Sequence, residues 1–209
     1  MKLLVLGATG PTGLQVVRQA LAQDHQLTAF VRDPAKTWPA DPRLHLVTGA
    51  LPGDTAALAA ALQGRDAVVC ALGVRNALKS GSLIEGAMRV LVPAMERGGV
   101  RRLLLVSANG VGATRRRSPL LPRIMYRLLL GDIFADKEAG EAIVRASSLE
   151  WTIAYPTLLT DGARTGRYRA GETLELRGMP KIARADVADF LLRELAARTF
   201  VRKGVVLSN

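Results

Sequence analysis

The sequence contains few of the residues that crosslink chains, bind metals or stack on bases. Its 209 residues include one cysteine, Cys70, and two histidines. One cysteine cannot form an internal disulfide, so we expect a small core residue and a reducing, cytoplasmic location. No spacing typical of metal ligands is present, and we predict no metal. Aromatic residues make up 4% of the chain, too few for the stacking surfaces of single-strand-binding proteins.

Long apolar runs are also missing. No segment approaches the roughly 18 consecutive apolar residues of a membrane helix. The first residues do not resemble a signal peptide, because glycine and proline interrupt their short apolar run. We therefore expect no membrane association. The length suits one domain over residues 1–209, which we predict to include a small substrate-side portion at its C-terminal end.

Acidic residues are scarce relative to basic ones. The 18 Asp and Glu face 29 Lys and Arg, of which 23 are Arg, for a net charge of +11. Such a charge suits nucleic acid, a membrane surface or an anionic small molecule, but a solvated Arg-rich surface without a specific partner is the simpler interpretation. Because the charge is scattered along the chain, we rank nucleic acid last and expect none to bind.

What is present begins with the first thirteen residues. Four apolar residues, Leu3 to Leu6, lead into Gly7-Ala8-Thr9-Gly10-Pro11-Thr12-Gly13, and helical apolar spacing follows. A strand, a glycine turn and a helix start are the context in which such a motif binds a dinucleotide. Gly7 allows a sharp exit, Gly10 a close approach to a pyrophosphate, and Gly13 close helix packing. An ordinary glycine-rich turn is the alternative. We predict that the pyrophosphate is held by Gly7, Thr9, Gly10, Pro11, Thr12 and Gly13.

Short apolar runs alternate with helical patterns along the rest of the chain. This alternation predicts an α/β fold of the Rossmann type: a doubly wound, mostly parallel sheet with helices on both faces. The predicted strands are Leu3–Leu6, Gln26–Val31, Leu44–Thr48, Ala67–Cys70, Arg102–Val106, Trp151–Ala154, Thr173–Leu176 and Val205–Leu207. The predicted helices are Thr12–Gln23, a helix capped by Asp54 and ending at Leu62, Ser82–Arg97, Pro122–Leu130, Asp132–Ser147, and Val187–Ala197 capped by Asp186.

In a doubly wound sheet, ligands bind at the carboxyl ends of the strands. Arg32, at the end of the second strand, stands where an acidic residue would favour NAD, and an Arg can instead pair with the 2′-phosphate of NADP. Lys36 could assist it. The alternative is that Arg32 is a polar residue opening a loop. We predict NADP(H) as the cofactor.

Several stretches together resemble a known family. They are GATGPTGLQVVRQAL at Gly7–Leu21, FVRDPAK at Phe30–Lys36, DAVVCALGVRN at Asp66–Asn76, EGAMRVLVPAMERGGVRRLLLVSA at Glu85–Ala108, and the pattern from TGRY at Thr165 through ARADVADFLL at Ala183–Leu192. The chain resembles the atypical short-chain dehydrogenase/reductase proteins of the NmrA-like superfamily. Within them it is most similar to the flavin reductase/biliverdin-IXβ reductase group, over nearly its whole length.

The resemblance implies an NADPH-dependent reductase of flavins or of another conjugated acceptor, such as a quinone or linear tetrapyrrole. It implies a monomer or weak homodimer. Leu72, Gly73 and Arg75 would border the adenosine and ribose, Ser107 the nicotinamide, and Pro156 its amide end.

The chain departs from the family pattern on the substrate side. The Tyr-x-x-x-Lys pair of classical members reads Ile133 to Lys137 here, so the Lys is present and the Tyr is not. Pro156 is followed by Thr157 rather than by the His of the flavin/biliverdin group. Ala50 stands where many members carry an acidic residue for the adenine. The missing Tyr argues against alcohol dehydrogenation, whereas a flavin or quinone can take its proton from water.

Four further assignments concern the acceptor. Ser107 and Lys137 are the candidate catalytic residues, although Ser107 could bond only to backbone and Lys137 could be a surface residue. Arg115, Arg116 and Arg117 could clamp an anionic acceptor such as FMN, although a charge run more often faces water. Thr157 is placed on the substrate side.

A non-catalytic NADP-binding regulator of the NmrA-like type remains the alternative function.

Overall fold

The computed structural model describes residues 1–35, 38–74, 80–112, 114 and 120–209, and the side chains of 120–130 lie outside this description. The strands are β1 (Lys2–Leu6), β2 (Gln26–Val31), β3 (Leu44–Thr48), β4 (Ala67–Cys70), β5 (Arg102–Val106), β6 (Glu150–Pro156), β7 (Leu158–Thr160), β8 (Arg169–Gly171), β9 (Lys181–Ala183) and β10 (Lys203–Ser208). The helices are α1 (Pro11–Ala22), α2 (Thr55–Leu62), α3 (Leu83–Gly98), α4 (Leu120–Ala146) and α5 (Arg184–Ala197).

Eight strands form one sheet in the order β3-β2-β1-β4-β5-β6-β10-β8. Every pairing in this sheet is parallel except that of β10 with β8. The chain reverses its direction of strand addition between β1 and β4, which is the switch point where ligands bind in such sheets. The predicted Rossmann-type fold is therefore confirmed.

Two apolar clusters cover the two faces of the sheet. Strand residues alternate between them, so that Leu4 and Leu6 of β1 join one cluster while Leu3 and Val5 join the other. The first cluster includes residues of α2, α3 and α4, and the second includes residues of α1 and α5. Among the described residues, no helix combines the length and the apolar character that crossing a membrane would require.

The predicted break before Asp132 is wrong, because α4 runs unbroken from Leu120 to Ala146. Asp132 does not start a helix of its own. Its carboxylate accepts hydrogen bonds from the backbone N–H of Ser80 at 2.5 Å and from the Ser80 hydroxyl at 3.0 Å. The Asp that resembles a local cap in the sequence instead ties α4 to the segment before α3.

Asp136, one turn further along α4, caps α3 from outside. Its carboxylate accepts from the N–H groups of Ile84 at 3.0 Å and Glu85 at 2.8 Å. Ser82, the predicted start of this helix, makes no side-chain cap bond in the described structure. The two helices are thus joined at the place where a local cap would otherwise be needed.

We expect Asp136→Ala to reduce the free energy of unfolding by about 2–4 kcal/mol, since it removes a cap and leaves two backbone donors without an acceptor. Urea unfolding followed by circular dichroism measures this loss. Asp136→Asn keeps one acceptor oxygen and should lose less. Equal stability of the wild type and the Ala variant would show that the cap contributes nothing.

Two further sequence predictions are wrong. Thr173–Leu176 is not a strand, because Leu174 folds back over Gly171 and packs into the core, and β8 takes the pairing with β10. Asp186 does not cap α5, which begins at Arg184. Its fully buried carboxylate accepts from the N–H groups of Thr165 and Gly166, each at 2.8 Å. Asp186 therefore fixes the polar loop that precedes β8.

Candidate active site

The glycine motif forms a turn with no room for side chains. Gly7 has a φ of +74°, and a Cβ there would lie 2.5 Å from the carbonyl oxygen of Ala71, at the end of β4. A Cβ on Gly13 would overlap the Gly7 carbonyl and lie 2.9 Å from the Cα of Ala8. The turn therefore lets β1, α1 and the end of β4 approach one another closely.

The N-terminus of α1 is open to an anion. Gly10 occupies the N-cap position in extended conformation, Pro11 follows, and in the described structure no side-chain hydrogen bond caps the helix. Its first turn contains no acidic residue. The free N–H groups and the positive end of the helix dipole suit a phosphate. Thr9 is half-buried beside this turn and Thr12 is buried.

The carboxyl ends of β2, β3 and β4 extend the site on one side. Arg32 directly follows β2, is exposed, and forms no ion pair with any described residue. Leu72 is half-buried and Gly73 exposed after β4. The backbone N–H of Ala50, after β3, donates to the carboxylate of Asp54 at 2.6 Å, so Asp54 closes this turn instead of capping α2 with its side chain. Lys36 and Arg75 lie outside the described residues.

A buried polar cluster lies at the carboxyl ends of β5 and β6. Ser107, directly after β5, donates its hydroxyl hydrogen to Glu141 Oε1 at 2.5 Å. Tyr155, on β6, donates to the other carboxylate oxygen, Oε2, also at 2.5 Å. The three side chains come from three elements, and Glu141 is only 2% exposed. A carboxyl group is thus held on both oxygens within the core of the site.

Two basic side chains of α4 flank this cluster. Arg145 donates to the Tyr155 hydroxyl at 2.8 Å, lies 4.0 Å from Glu141 Oε2, and stacks over Trp151 at 4.9 Å from the ring centroid. Lys137 precedes Glu141 by one turn of α4, and both Glu141 and Cys70, at the end of β4, lie close enough to act on the pKa of Lys137. The predicted residues Ser107 and Lys137 therefore lie in one neighbourhood.

Burial controls the ionisation of the cluster. Desolvation raises the pKa of Glu141, although hydrogen bonds from Ser107 and Tyr155 and the nearby cations act in the opposite direction. Desolvation also raises the pKa of Tyr155 and lowers that of Lys137. Burial raises the pKa of Cys70 to about 11. All four shifts favour the uncharged forms. The pKa values of Glu141 and Lys137 move toward neutral pH, as suits groups that exchange protons there, whereas those of Tyr155 and Cys70 move away from it.

Two glycines make space for the cluster. A Cβ on Gly112, whose φ is +51°, would overlap Glu141 Oε2. A Cβ on Gly204, on β10, would lie 2.7 Å from Tyr155 Cε2 and 3.2 Å from an Arg145 nitrogen. The backbone around the carboxyl group is therefore shaped to admit these side chains.

Glu141 was not among the residues chosen from the sequence. Tyr155 lies in a stretch, Tyr155 to Leu158, that the sequence places at a ligand-binding strand end, but there it resembles a wall or core residue. A signal for Glu141 exists: Lys137, Glu141 and Val144 follow at helical spacing, so that two charged residues share a face with a fully buried valine. The sequence does not show that Tyr155 donates a hydrogen bond to Glu141, because this contact between β6 and α4 depends on the tertiary fold.

Of the remaining predicted residues, Pro156 and Thr157 are described by the structure and the three arginines are not. Pro156 is buried at the end of β6 and pairs with Leu207. Thr157 is also buried, and its hydroxyl and N–H both donate to the Leu207 carbonyl, at 3.1 and 3.0 Å. Its hydroxyl hydrogen is therefore already used. Arg115, Arg116 and Arg117 lie outside the described residues.

The fold and the glycine turn together define a Rossmann-type dinucleotide-binding protein. Residues 7–198 match the profile of a family described as NAD(P)H-binding, and the chain belongs to that family.

Individual proteins are similar to the chain in sequence or in fold. The chain is 29% identical over 172 residues to an uncharacterized chloroplastic protein of Arabidopsis thaliana, At2g34460, covering 79% of this chain and 61% of that protein. The chain thus spans less than two thirds of that relative's length. Two solved structures share the fold. ChuY from Escherichia coli O157:H7, an anaerobilin reductase, is 23% identical, with a TM-score of 0.82 over 99% of this chain and 96% of that one. A short-chain dehydrogenase/reductase from Veillonella parvula, solved with NADP, is 20% identical, with a TM-score of 0.83 over 100% and 94%.

Proposed function

We propose that the protein is an NADPH-dependent reductase that transfers hydride to a flavin or a similar conjugated acceptor, such as a quinone or linear tetrapyrrole. The observation that carries this proposal is the buried cluster of Ser107, Glu141 and Tyr155 at the carboxyl ends of β5 and β6. Burying a carboxyl group is energetically costly, and buried carboxyl groups with a raised pKa concentrate at reaction sites.

The residues present fit NADPH. The turn from Gly7 to Gly13 would hold the pyrophosphate, because its glycines let the backbone segments pack closely and the N-terminus of α1 has no side-chain cap and no acidic residue in its first turn. Arg32 would pair with the 2′-phosphate, since its exposed guanidinium has no ion partner among the described residues. When bound, the reduced nicotinamide supplies the hydride, and the protein orients the acceptor and manages the proton.

The acceptor class follows from what the site lacks as well as from its relatives. Ile133 stands where classical members carry the catalytic Tyr, so alcohol chemistry is disfavoured, whereas an electron-poor conjugated ring needs less acid help. The ChuY neighbour acts on anaerobilin according to its name, which supports a linear tetrapyrrole among the candidate acceptors.

A non-catalytic NADP-binding regulator is the second candidate. The observation in its favour is the same Ile133, because loss of the Tyr is what a protein that only senses its cofactor would tolerate. Under this alternative NADPH binds but no acceptor is reduced.

Thermal shift and turnover separate these candidates. We expect NADPH at about 100 times its dissociation constant to stabilise the fold by roughly 2.7 kcal/mol, and to stabilise it more than NADH at equal concentration. We also expect loss of nicotinamide absorbance when FMN, a quinone or biliverdin is added. Stabilisation by NADPH without turnover of any acceptor would support the regulator and contradict the reductase.

A further inference from the structure

The hydrogen count of the buried cluster limits what Ser107 can do. A serine hydroxyl carries one hydrogen, and that hydrogen is donated to Glu141 Oε1. While Glu141 is a carboxylate, Ser107 has no hydrogen left for an acceptor molecule. Ser107 can donate outward only if Glu141 supplies a hydrogen in return.

We propose that Glu141 is the proton reservoir of this site and passes its proton to the acceptor through the Ser107 hydroxyl. The inference rests on the reductase function proposed above. Glu141 acts through Ser107 and does not itself reach the acceptor, so it is a positioning residue that also holds the proton. In this chain the relay would take the place of the Tyr that donates the proton in classical short-chain dehydrogenases/reductases.

The geometry suits such a relay. Both Glu141 oxygens are engaged at 2.5 Å, so the carboxyl plane is fixed and Oε1 remains directed at Ser107. Ser107 lies where β5 ends, at the edge of the sheet that the glycine turn also borders. Arg145 donates a hydrogen bond to the Tyr155 hydroxyl and so holds Tyr155, the donor to Glu141 Oε2, in place. A proton transfer along this line requires little heavy-atom movement.

A cavity beside Glu141 provides the way back for the proton. It has a volume of about 240 Å³ and is lined by Gly112, Glu138, Glu141, Ala142 and Arg145. Arg145 is 34% exposed in its side chain, so this side of the cluster reaches solvent. Three of the five lining residues are charged, and water in a cavity of this size can reprotonate the carboxylate after each turnover.

Hydride and proton reach the acceptor from different donors. The acceptor gains an electron pair and one hydrogen as hydride from the reduced nicotinamide, which is oxidised. A heteroatom of the acceptor then takes the Ser107 hydroxyl proton, and Ser107 takes the proton of Glu141 as its O–H bond breaks. Glu141 is left as a carboxylate, and water returns one proton to it.

The charged and titratable groups around Glu141 come from three elements. Helix α4 contributes Lys137 and Arg145, with Asp136 and Glu138 nearby, β6 contributes Tyr155, and β4 contributes Cys70 next to Lys137. The cations and the two hydroxyl donors favour the carboxylate, and burial favours the acid. Because burial is the larger effect, the acid form persists to higher pH than for an ordinary Glu.

The test compares Glu141→Gln with the wild type in the NADPH–FMN reaction. General acids contribute typically 10²–10⁴-fold, so we expect kcat to fall about 100-fold while NADPH affinity is unchanged. The wild-type rate should fall as the pH rises through the pKa of Glu141, and the residual rate of the Gln variant should not. Glu175→Gln is the matched control, because it makes the same change in an exposed ion pair with Arg177 and should leave the kcat unchanged.

Tyr155→Phe gives a second, signed readout. It removes a hydrogen bond that stabilises the carboxylate, so the pKa of Glu141 rises and the falling limb of the rate should move to higher pH. If the falling limb of the pH–rate profile does not move in Tyr155→Phe, the relay is contradicted. A wild-type kcat and pH profile in Glu141→Gln would contradict it as well. So would a kcat loss in Glu141→Gln that keeps the wild-type pH profile, which a purely structural role predicts.

Stability tests the inference without any activity. If the folded pKa of Glu141 is raised, its contribution to stability is present at low pH and is lost as the pH rises above the unfolded pKa and through the folded one. The melting temperature of Glu141→Gln minus that of the wild type should therefore increase with pH. A difference that is flat or decreases would contradict the relay even in an active enzyme. An inactive wild type would contradict the reductase function, whatever the sign of this difference.

Discussion

Gly13→Ala is expected to abolish tight NADPH binding. A Cβ there overlaps the carbonyl of Gly7 and approaches the Cα of Ala8 at 2.9 Å, and neither is a side chain that can rotate away. The backbone of the turn must move, which costs about 1–3 kcal/mol by analogy with overpacked cores. Because we propose that the N–H groups of this turn hold the pyrophosphate, we expect the dissociation constant of NADPH to rise at least about 100-fold, as measured by titration calorimetry.

Gly98→Ala serves as the control for Gly13→Ala. Gly98 ends α3, and nothing lies within 4 Å of a Cβ built there. Alanine is the better helix former, so this variant should bind NADPH normally and be no less stable than the wild type. Normal NADPH binding by Gly13→Ala would show that the close packing of this turn has no role in holding the cofactor.

Arg32→Glu is expected to reverse the preference between the two nicotinamide cofactors. Hydrogen bonds to charged groups contribute about 1.5–3 kcal/mol, which corresponds to roughly 10- to 150-fold in affinity, and the new carboxylate also repels the 2′-phosphate. NADH carries no such phosphate, so its affinity should change little or improve through its free ribose hydroxyls. Fluorescence titration of both cofactors gives the ratio.

The control for Arg32→Glu makes the same charge change at the opposite edge of the sheet. Arg97 is exposed in the last turn of α3, which leads into the amino end of β5. Arg97→Glu should change the binding of both cofactors only slightly, because exposed charges far from the ligand are screened by salt, and the NADPH/NADH ratio should stay near that of the wild type. An equal loss for both cofactors in Arg32→Glu would show that Arg32 does not recognise the 2′-phosphate.

The sequence was a good guide wherever structure is decided by neighbouring residues. The bounds of β2, β3, β4 and β5 are those predicted, because short apolar runs between turn residues fix buried parallel strands. The glycine turn was found for the same reason. By contrast, Asp132, Asp136 and Asp186 are the kinds of residue that cap a following helix, and each instead bonds a distant segment.

The candidate site divides in the same way. Its cofactor side follows from a contiguous motif and from Arg32 at a strand end, so local pattern was sufficient to propose it. Its buried carboxyl group was missed, because Glu141 becomes distinctive only once β5 and β6 bring Ser107 and Tyr155 to it. The spacing along α4 shows that Lys137 and Glu141 share a helix face with apolar residues. It does not show which residues of the sheet contact that face.

Helix α4 carries two sets of contacts whose angular phase must agree. Asp132 and Asp136 face the start of α3, while Glu141, a little more than one turn later, faces Ser107 and Tyr155. One inserted or deleted residue between 136 and 141 would rotate one set by about 100° relative to the other. Substitutions along this helix should therefore be tolerated far more readily than insertions or deletions between residues 136 and 141. The helical repeat fixes the spacing between the cap residue Asp136 and the carboxyl group of Glu141.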